Sequence, residues 1–576
     1  MNRLPALLIA CFALLASVST AQQTVDRVLA NLRAIGVTDA GDWRFLHPAQ
    51  PGGEAPDVDD SGWQVVRPEH QWEFPNTSAW YRKRIVIPQT VGGVSVAGSR
   101  LVLTCAVDDD MDLYINGRNV GRFHWDQGRA VLTENALPGQ EIVVAIRAIN
   151  QGGPGRLLWA RLDYEALESF REPAGEWAAR LQFCKRLLGT KRMADKRTDY
   201  LRALDDAAAL IDFGAISRRD TEGFQASVDK CLAALKPFSE LAKQYTIFLV
   251  GHAHIDMNWL WLWPETKTVC RLTWDQALKF MDEYPEFRFT QSQPGAYIAI
   301  EEECPELFAR IQEAVARGQW EPAGASWVEG DTNMASGEAL ARQCLLTHDY
   351  YTSRFGQQSK LAWLPDNFGH AWTVPSIFSD AGYEHFYFCR AGKGLPTFWW
   401  EGPDGGRLLA YNHRWYNEEF RRDRGVVPLE IEDRVGIPAC MIVYGVGDHG
   451  GGPTRQDIEA AKALQDDPLF PSIQFATTED YFAAALEHSK GDLPVVKDEL
   501  NFTFEGCYTT HSNVKRWNRD SENILPVAEA LSAIAANWGP EYPQEGLTQA
   551  WRNTCFNQFH DILPGSAIHG SYEYSG

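Results

Sequence analysis

Positive charge is the first thing this 576-residue sequence is short of: 54 Lys and Arg stand against 76 Asp and Glu, a formal charge of -22. A chain this acidic is unsuited to neutralising phosphate backbones, so nucleic acid is excluded as a general partner and anionic membrane surfaces move down the order. Paired cysteines are missing as well. Beyond Cys11, ten cysteines are scattered from Cys105 to Cys555 with no Cys-x-x-Cys and no regular spacing. That excludes a disulfide framework or a zinc-finger ladder and leaves thiols used as small apolar residues. Past the N terminus no run reaches the ~18 apolar residues of a membrane span. There is no internal repeat and no low-complexity segment. What remains, 45% hydrophobic and 23% charged residues, is the composition of a globular protein. At several times the usual domain length of roughly 100 to 200 residues, it should hold two to four domains.

Residues 1–21 read as a secretory signal: Arg3, an apolar run from Leu4 to Val18, then Ser19-Thr20-Ala21 before Gln22. This predicts export to a periplasmic or extracellular compartment. A lipoprotein reading on Leu8-Ile9-Ala10-Cys11 is weaker, because the apolar run continues through Phe12 to Ala16. Over 40–165, short β-type runs such as Ala79–Ile87 and Glu141–Ile146 alternate with turns, and Asn116-Gly117 is a type I′ hairpin signal. This predicts a β-sandwich, with Trp43, Trp63, Trp72 and Trp80 read as packing residues rather than a sugar platform. Asp108-Asp109-Asp110 reads as a solvated turn rather than a calcium site. Segment 166–243 switches to helical spacing and predicts a helical connector. Across 244–503, apolar runs alternate with helical stretches, the pattern of an α/β domain with a buried parallel sheet. Residues 504–576 are helix-forming.

Ligands in parallel α/β folds bind beyond the carboxyl ends of the strands, so the residues just past each apolar run carry the chemistry. The run Ile247–Val250 leads into Gly251-His252-Ala253-His254-Ile255-Asp256. If the strand continues, its period of two points His252, His254 and Asp256 the same way, a set suited to a borderline metal such as zinc. Structural hydrogen bonds at the rim are the alternative. The run Leu361–Leu364 ends in Pro365-Asp366-Asn367-Phe368-Gly369-His370, where Asp366 can be a metal ligand, a nucleophile or a helix cap. The run at Tyr387 ends in Cys389-Arg390, and that at Val443 in Gly445-Val446-Gly447-Asp448-His449-Gly450-Gly451. The second is no phosphate loop: it lacks a Gly-Lys-Ser/Thr sequel and puts an acid among its glycines. His560-Asp561 offers one more imidazole beside a carboxylate; alone, it reads as a structural pair.

Together these motifs closely resemble glycoside hydrolase family 38, the zinc-dependent retaining α-mannosidases, in the family's order from about Tyr245 to Ser566. His254-Ile255-Asp256 with Trp259 resembles its first metal motif, Trp363–His370 its nucleophile motif, Gly447-Asp448 its general-acid segment and His560-Asp561 its last metal motif. Gly324–Asp331 and Tyr508–Arg516 are supporting stretches. The resemblance implies a (β/α)7-like barrel followed by a helical bundle domain. It implies that His254, Asp256, Asp366 and His560 hold one Zn²⁺, that Asp366 is the nucleophile, and that Asp448 is the acid/base. Trp259, Phe368, Arg390 and Asp561 would line the mannose site, the substrate being a mannose-containing oligosaccharide or glycan. Homo-oligomerisation is left open. Two departures stand out: His449 replaces a Gly usual in bacterial members, and Met257-Asn258 replaces commoner residues. Members also continue into C-terminal β-domains, so the chain reads as truncated or as a short member. Two rival readings use the same residues. A metal-dependent carbohydrate deacetylase or amidohydrolase would activate water, and a catalytically impaired binding protein would hold sugar without turnover.

Overall fold

The computed structural model describes residues 24–35, 38–413, 415–447 and 449–576. The expected signal segment 1–21 and the expected acid/base Asp448 lie outside the described residues. The chain divides into two compact units, with the boundary between Ser239 and Glu240.

The first unit begins with two antiparallel sheets. One has six strands in the order Gln64–Val66, Trp43–Leu46, Thr77–Val86, Glu141–Asn150, Asp110–Ile115, Arg118–His124. The other has four, Gly128–Thr133, Leu101–Val107, Gly155–Tyr164 and Gln71–Trp72. Alternating inward residues make the core, and Trp43, Trp72 and Trp80 are buried in it while Trp63 is half-buried under Arg82. The Asn116-Gly117 turn forms as its sequence demands, with positive φ of 48° and 79° at its two central residues. The aspartate run is a turn bound up with protein groups. Asp109 accepts the Gln151 backbone N–H at 2.6 Å, Asp110 pairs with His124 at 2.8 Å, and Asp108 faces Arg156 at 3.4 Å. Helices Glu168–Gly189, Arg197–Ala208, Phe213–Ser217 and Thr221–Ala234 come next. The last two are capped by Asp212 and Asp220, whose carboxylates take N–H groups left free in the first turn.

In the second unit the strands Thr246–His252, Leu361–Trp363, His385–Phe388 and Ala439–Tyr444 are buried almost throughout. Covered on both faces by other chain, they carry the continuous apolar runs seen in the sequence. The expected single barrel resolves into two five-stranded sheets. One runs Trp320–Pro322, Phe289–Gln291, Thr246–His252, Ala439–Tyr444, with Ser472–Phe475 also on Thr246–His252, all parallel. The other runs Leu361–Trp363, His385–Phe388, Arg407–Asn412, Thr397–Glu401, Val495–Val496. Among the described residues the sheets are joined by single bonds rather than ladders. Gly324 N–H donates to Leu361 O at 3.1 Å, and the Tyr411 hydroxyl donates to Met441 O at 2.7 Å. Thr397–Glu401 is antiparallel to Arg407–Asn412, because Gly402-Pro403-Asp404-Gly405-Gly406 turns the chain straight back. The helices Ser512–Ala536, Gln544–Asn557 and His569–Ser575 lie in the same compact unit as these sheets.

One expectation fails in a way that matters for the site. The first strand stops at His252, so strand alternation does not aim His254 and Asp256. One neighbour leaves there: the ladder to Ala439–Tyr444 ends at Gly251, and Gly445 N–H turns away to Glu418 O.

Candidate metal centre

Four side chains from three distant segments meet beyond the strand ends. His254 and Asp256 come just after the first strand, Asp366 lies three residues past Leu361–Trp363, and His560 three past the helix Gln544–Asn557. One ligand atom from each lies within 4.8 Å of all the others. His254 Nε2 is 3.0 Å from Asp256 Oδ1 and 3.9 Å from Asp366 Oδ2; His560 Nε2 is 3.3 Å and 3.5 Å from the same two oxygens. A tetrahedral ion with bonds of 2.0–2.1 Å spaces its ligands by about 3.4 Å, so the set fits such an ion with small adjustments. All four are buried, and among the described residues His560 Nε2 has no hydrogen-bond partner. Two imidazoles and two carboxylates are the donor set of a borderline divalent cation. When bound, such an ion would be held by these four residues and would act as a Lewis acid and template for oxygen ligands.

The electrostatics depend on which groups face one another. Burial disfavours charge on His254, yet Asp256 and Glu329 outweigh it and push its pKa up to about 9. His560 is also raised, against burial, by Asp256 and Asp366. Burial works against ionising Asp366 too, but His560, His254 and Arg390 keep its carboxyl below the usual range. Asp256 is lowered, against burial, by the same two imidazoles. Asp561, by contrast, is pushed up to about 7 by burial beside these carboxylates.

Three of the four cluster residues, His254, Asp256 and Asp366, line a cavity of about 400 Å³ together with Trp259, Phe368, Arg390 and Asp561. Eight of the nine residues singled out by sequence thus come together here; the ninth, Asp448, lies outside the described residues. At Gly447 φ is 61° and an added Cβ would stand 2.1 Å from the Asn417 side chain, so only glycine fits. His449 stands against Trp261, with ring centroids 5.0 Å apart. Arg390 Nε donates to Asp366 Oδ1 at 2.5 Å, and its guanidinium lies over the rings of Phe368 and Phe504. The Ser566 hydroxyl donates to Asp561 at 2.5 Å.

Sequence reasoning missed several wall residues: Tyr416, Phe504 and Cys507 also line the cavity. The Tyr416 ring packs tilted against His254, with centroids 4.6 Å apart, and its hydroxyl hydrogen-bonds Asp366. It adjoins no apolar run directly, and only the position of Trp415 and Tyr416 just beyond the strand Arg407–Asn412 could have flagged it.

The class defined so far is an α/β protein with a buried His/Asp cluster able to hold a metal ion beside a cavity of about 400 Å³. Residues 244–499 match the glycosyl hydrolases family 38 N-terminal domain, and residues 503–575 the alpha mannosidase middle domain. Alpha-mannosidase G of Dictyostelium discoideum is 35% identical over 340 residues, 57% of this chain and 31% of that protein. Human alpha-mannosidase 2C1 is 36% identical over 341 residues, 56% and 32%. The crystal structure of an alpha-mannosidase from Enterococcus faecalis V583 superposes with a TM-score of 0.53 at 22% identity, covering 57% of this chain and 40% of that one, a likeness of fold. On two adjoining matches that together span more than half its length, the chain belongs to glycosyl hydrolase family 38. It spans about a third of the length of the curated relatives it matches.

Proposed function

We propose that the protein is a retaining α-mannosidase that releases terminal α-linked mannose from oligosaccharides or glycans, with zinc at the four-residue cluster. The observation that carries this reading is the position of Asp366. It is ionised, held by Arg390 and Tyr416, and directed into a cavity lined by members of the metal-binding set and by Trp259 and Phe368. The names of the relatives supply the sugar.

Retaining hydrolysis needs one carboxylate to attack the anomeric carbon and a second group to protonate the leaving oxygen. In this proposal Asp366 attacks, forming an ester with the sugar, while Arg390 holds its Oδ1 and its Oδ2 faces the two imidazoles. Asp448, which in the sequence stands between Gly447 and His449 of the glycine-rich stretch, gives its proton to the departing oxygen and then takes one from water. Trp259 presents an apolar face to the ring, while Asp561 and Arg390 bond its hydroxyls. Zinc bound to His254, Asp256, Asp366 and His560 would polarise ring hydroxyls and favour a distorted sugar. Export, carried by the apolar segment before Gln22, belongs to the same proposal.

The test is hydrolysis of an aryl α-mannoside with and without a chelator, with the first product followed by NMR. Release of α-mannose that is lost on chelation and restored by zinc supports the proposal. Initial β-mannose, or activity only on an N-acetylated sugar, overturns it.

A further inference from the structure

Both imidazoles of the cluster turn their Nδ1 atoms toward one residue, Glu329. His560 Nδ1 lies 2.8 Å from the Glu329 backbone carbonyl, which can only accept, so that nitrogen carries the proton. His254 Nδ1 lies 3.4 Å from Glu329 Oε2, and among the described residues neither atom has a closer hydrogen-bond partner. Glu329 is buried and is itself held on two sides. The Ser292 hydroxyl donates to its Oε1 at 2.6 Å, and its own N–H donates to Gln293 Oε1 at 2.9 Å. Gln293 then donates from Nε2 to Ile255 O at 2.9 Å, which ties Glu329 to the loop between His254 and Asp256. Gln293 adopts a left-handed backbone conformation, φ 70°, that a residue other than glycine holds only when its surroundings fix it.

We infer that Glu329 is the positioning residue of the metal centre. Its side chain sets the tautomer and orientation of His254 and its main chain those of His560, so that both present an unprotonated Nε2 to the ion. A residue that accepts the far N–H of a ligating imidazole fixes the ring and raises its basicity, and losing such a partner weakens metal binding about 10–100-fold. Here one residue does so for two ligands that are far apart in sequence. The carboxylate faces the ring edge away from Asp256 and Asp366, so Glu329 acts through His254 rather than as a fifth ligand. This inference rests on the metal reading of the cluster.

Its test is the affinity of the full chain for Zn²⁺, measured by competition with a chromophoric chelator, together with the visible spectrum of the Co²⁺-substituted protein. Glu329→Gln keeps the shape and the main-chain carbonyl but removes the charge. It should lower zinc affinity about 10–100-fold and shift the cobalt bands, with thermal unfolding of the chelated protein unchanged. Ser292→Ala, which frees one carboxylate oxygen, should lower affinity less and decides the matter should Glu329→Gln fail to fold. Wild-type affinity and an unmoved cobalt spectrum in a folded Glu329→Gln protein overturn the inference. A wild-type chain that binds no zinc overturns the metal centre itself, a result distinguishable from the first.

Discussion

Two sets of buried histidines lie close together in the second unit and behave in opposite ways. His252 and His370 are as enclosed as His254 and His560, yet burial pushes both down to about 3, and His413 is lowered for the same reason. His252 meets a backbone carbonyl, Thr290 O, at 2.9 Å, and His370 meets the Thr332 hydroxyl at 2.9 Å. His254 and His560 meet carboxylates. Burial alone therefore makes a neutral packing histidine, and a cation site appears only where several acids converge on the ring. The acids obey the same rule with the sign reversed: Asp256 and Asp366 are lowered by their imidazoles, while Asp331, held chiefly by backbone N–H groups, is raised.

The largest effect should come from the convergent set. Asp366→Ala should cut turnover of an aryl α-mannoside by roughly 10⁴-fold or more, the scale set by removing a nucleophile. Activity equal to wild type would remove Asp366 from the mechanism. His560→Ala should next strip zinc from the chain at micromolar metal, because a lost ligand costs more than the roughly 10–100-fold of an outer partner. Elemental analysis of the dialysed protein reads this directly, and full occupancy would take His560 out of the ligand set.

Of medium size is the effect at Asp331. Burial pushes its pKa from 3.8 up to about 6, against the N–H groups of Met334 and Asn333 that its carboxylate accepts. Between those two values the folded chain binds more protons than the unfolded one. The contribution of Asp331 to stability is therefore fully present below about pH 4 and is lost as pH rises through the window to 6. A shift of this size corresponds to up to about 3 kcal/mol. Asp331→Asn keeps the accepting oxygen and removes the ionisation, so in chelated protein it should be more stable than wild type at pH 7.5 and no different at pH 4. Thermal unfolding at the two pH values reads the contrast; an equal gain at both would mean that charge is not the cause.

How much of the site is legible in the sequence depends on spacing. His254 and Asp256 are two residues apart after an apolar run, so the pair can be read, although strand alternation is not what aims them in the folded chain. His560 stands some 300 residues further on, and as an isolated His-Asp pair it is indistinguishable from a surface feature; only its likeness to a known motif gives it a role. Glu329 sits in a stretch marked by resemblance but carries no signal of its own. Its work depends on which way the segment after Trp320–Pro322 turns, and a three-residue strand ending in proline is too short to show a period. The layout of the α/β domain is legible only in part. Apolar runs report that strands are buried, whereas the turn at Gly402–Gly406 and the single bonds between sheets depend on local chemistry that those runs do not encode.

The smallest expected effect is the most direct attack on the contrast between the histidines. His252, His254 and Glu329 form a second group close enough to hold an ion, and it shares His254 with the first. Its weakness is chemical: His252 already commits Nδ1 to Thr290 O, and the group offers one carboxylate where the other offers two. Of its members, only His254 reaches the cavity. His252→Phe keeps a flat ring against Trp363, whose centroid is 4.7 Å away, and removes only the bond to Thr290. It should cost about 1–2 kcal/mol of stability, the penalty for leaving one buried carbonyl unpaired, and leave zinc affinity at the wild-type value. If zinc is lost instead, the ion sits on the deeper group, His252 moves from packing residue to ligand, and Asp366 is freed from the metal to act as nucleophile alone.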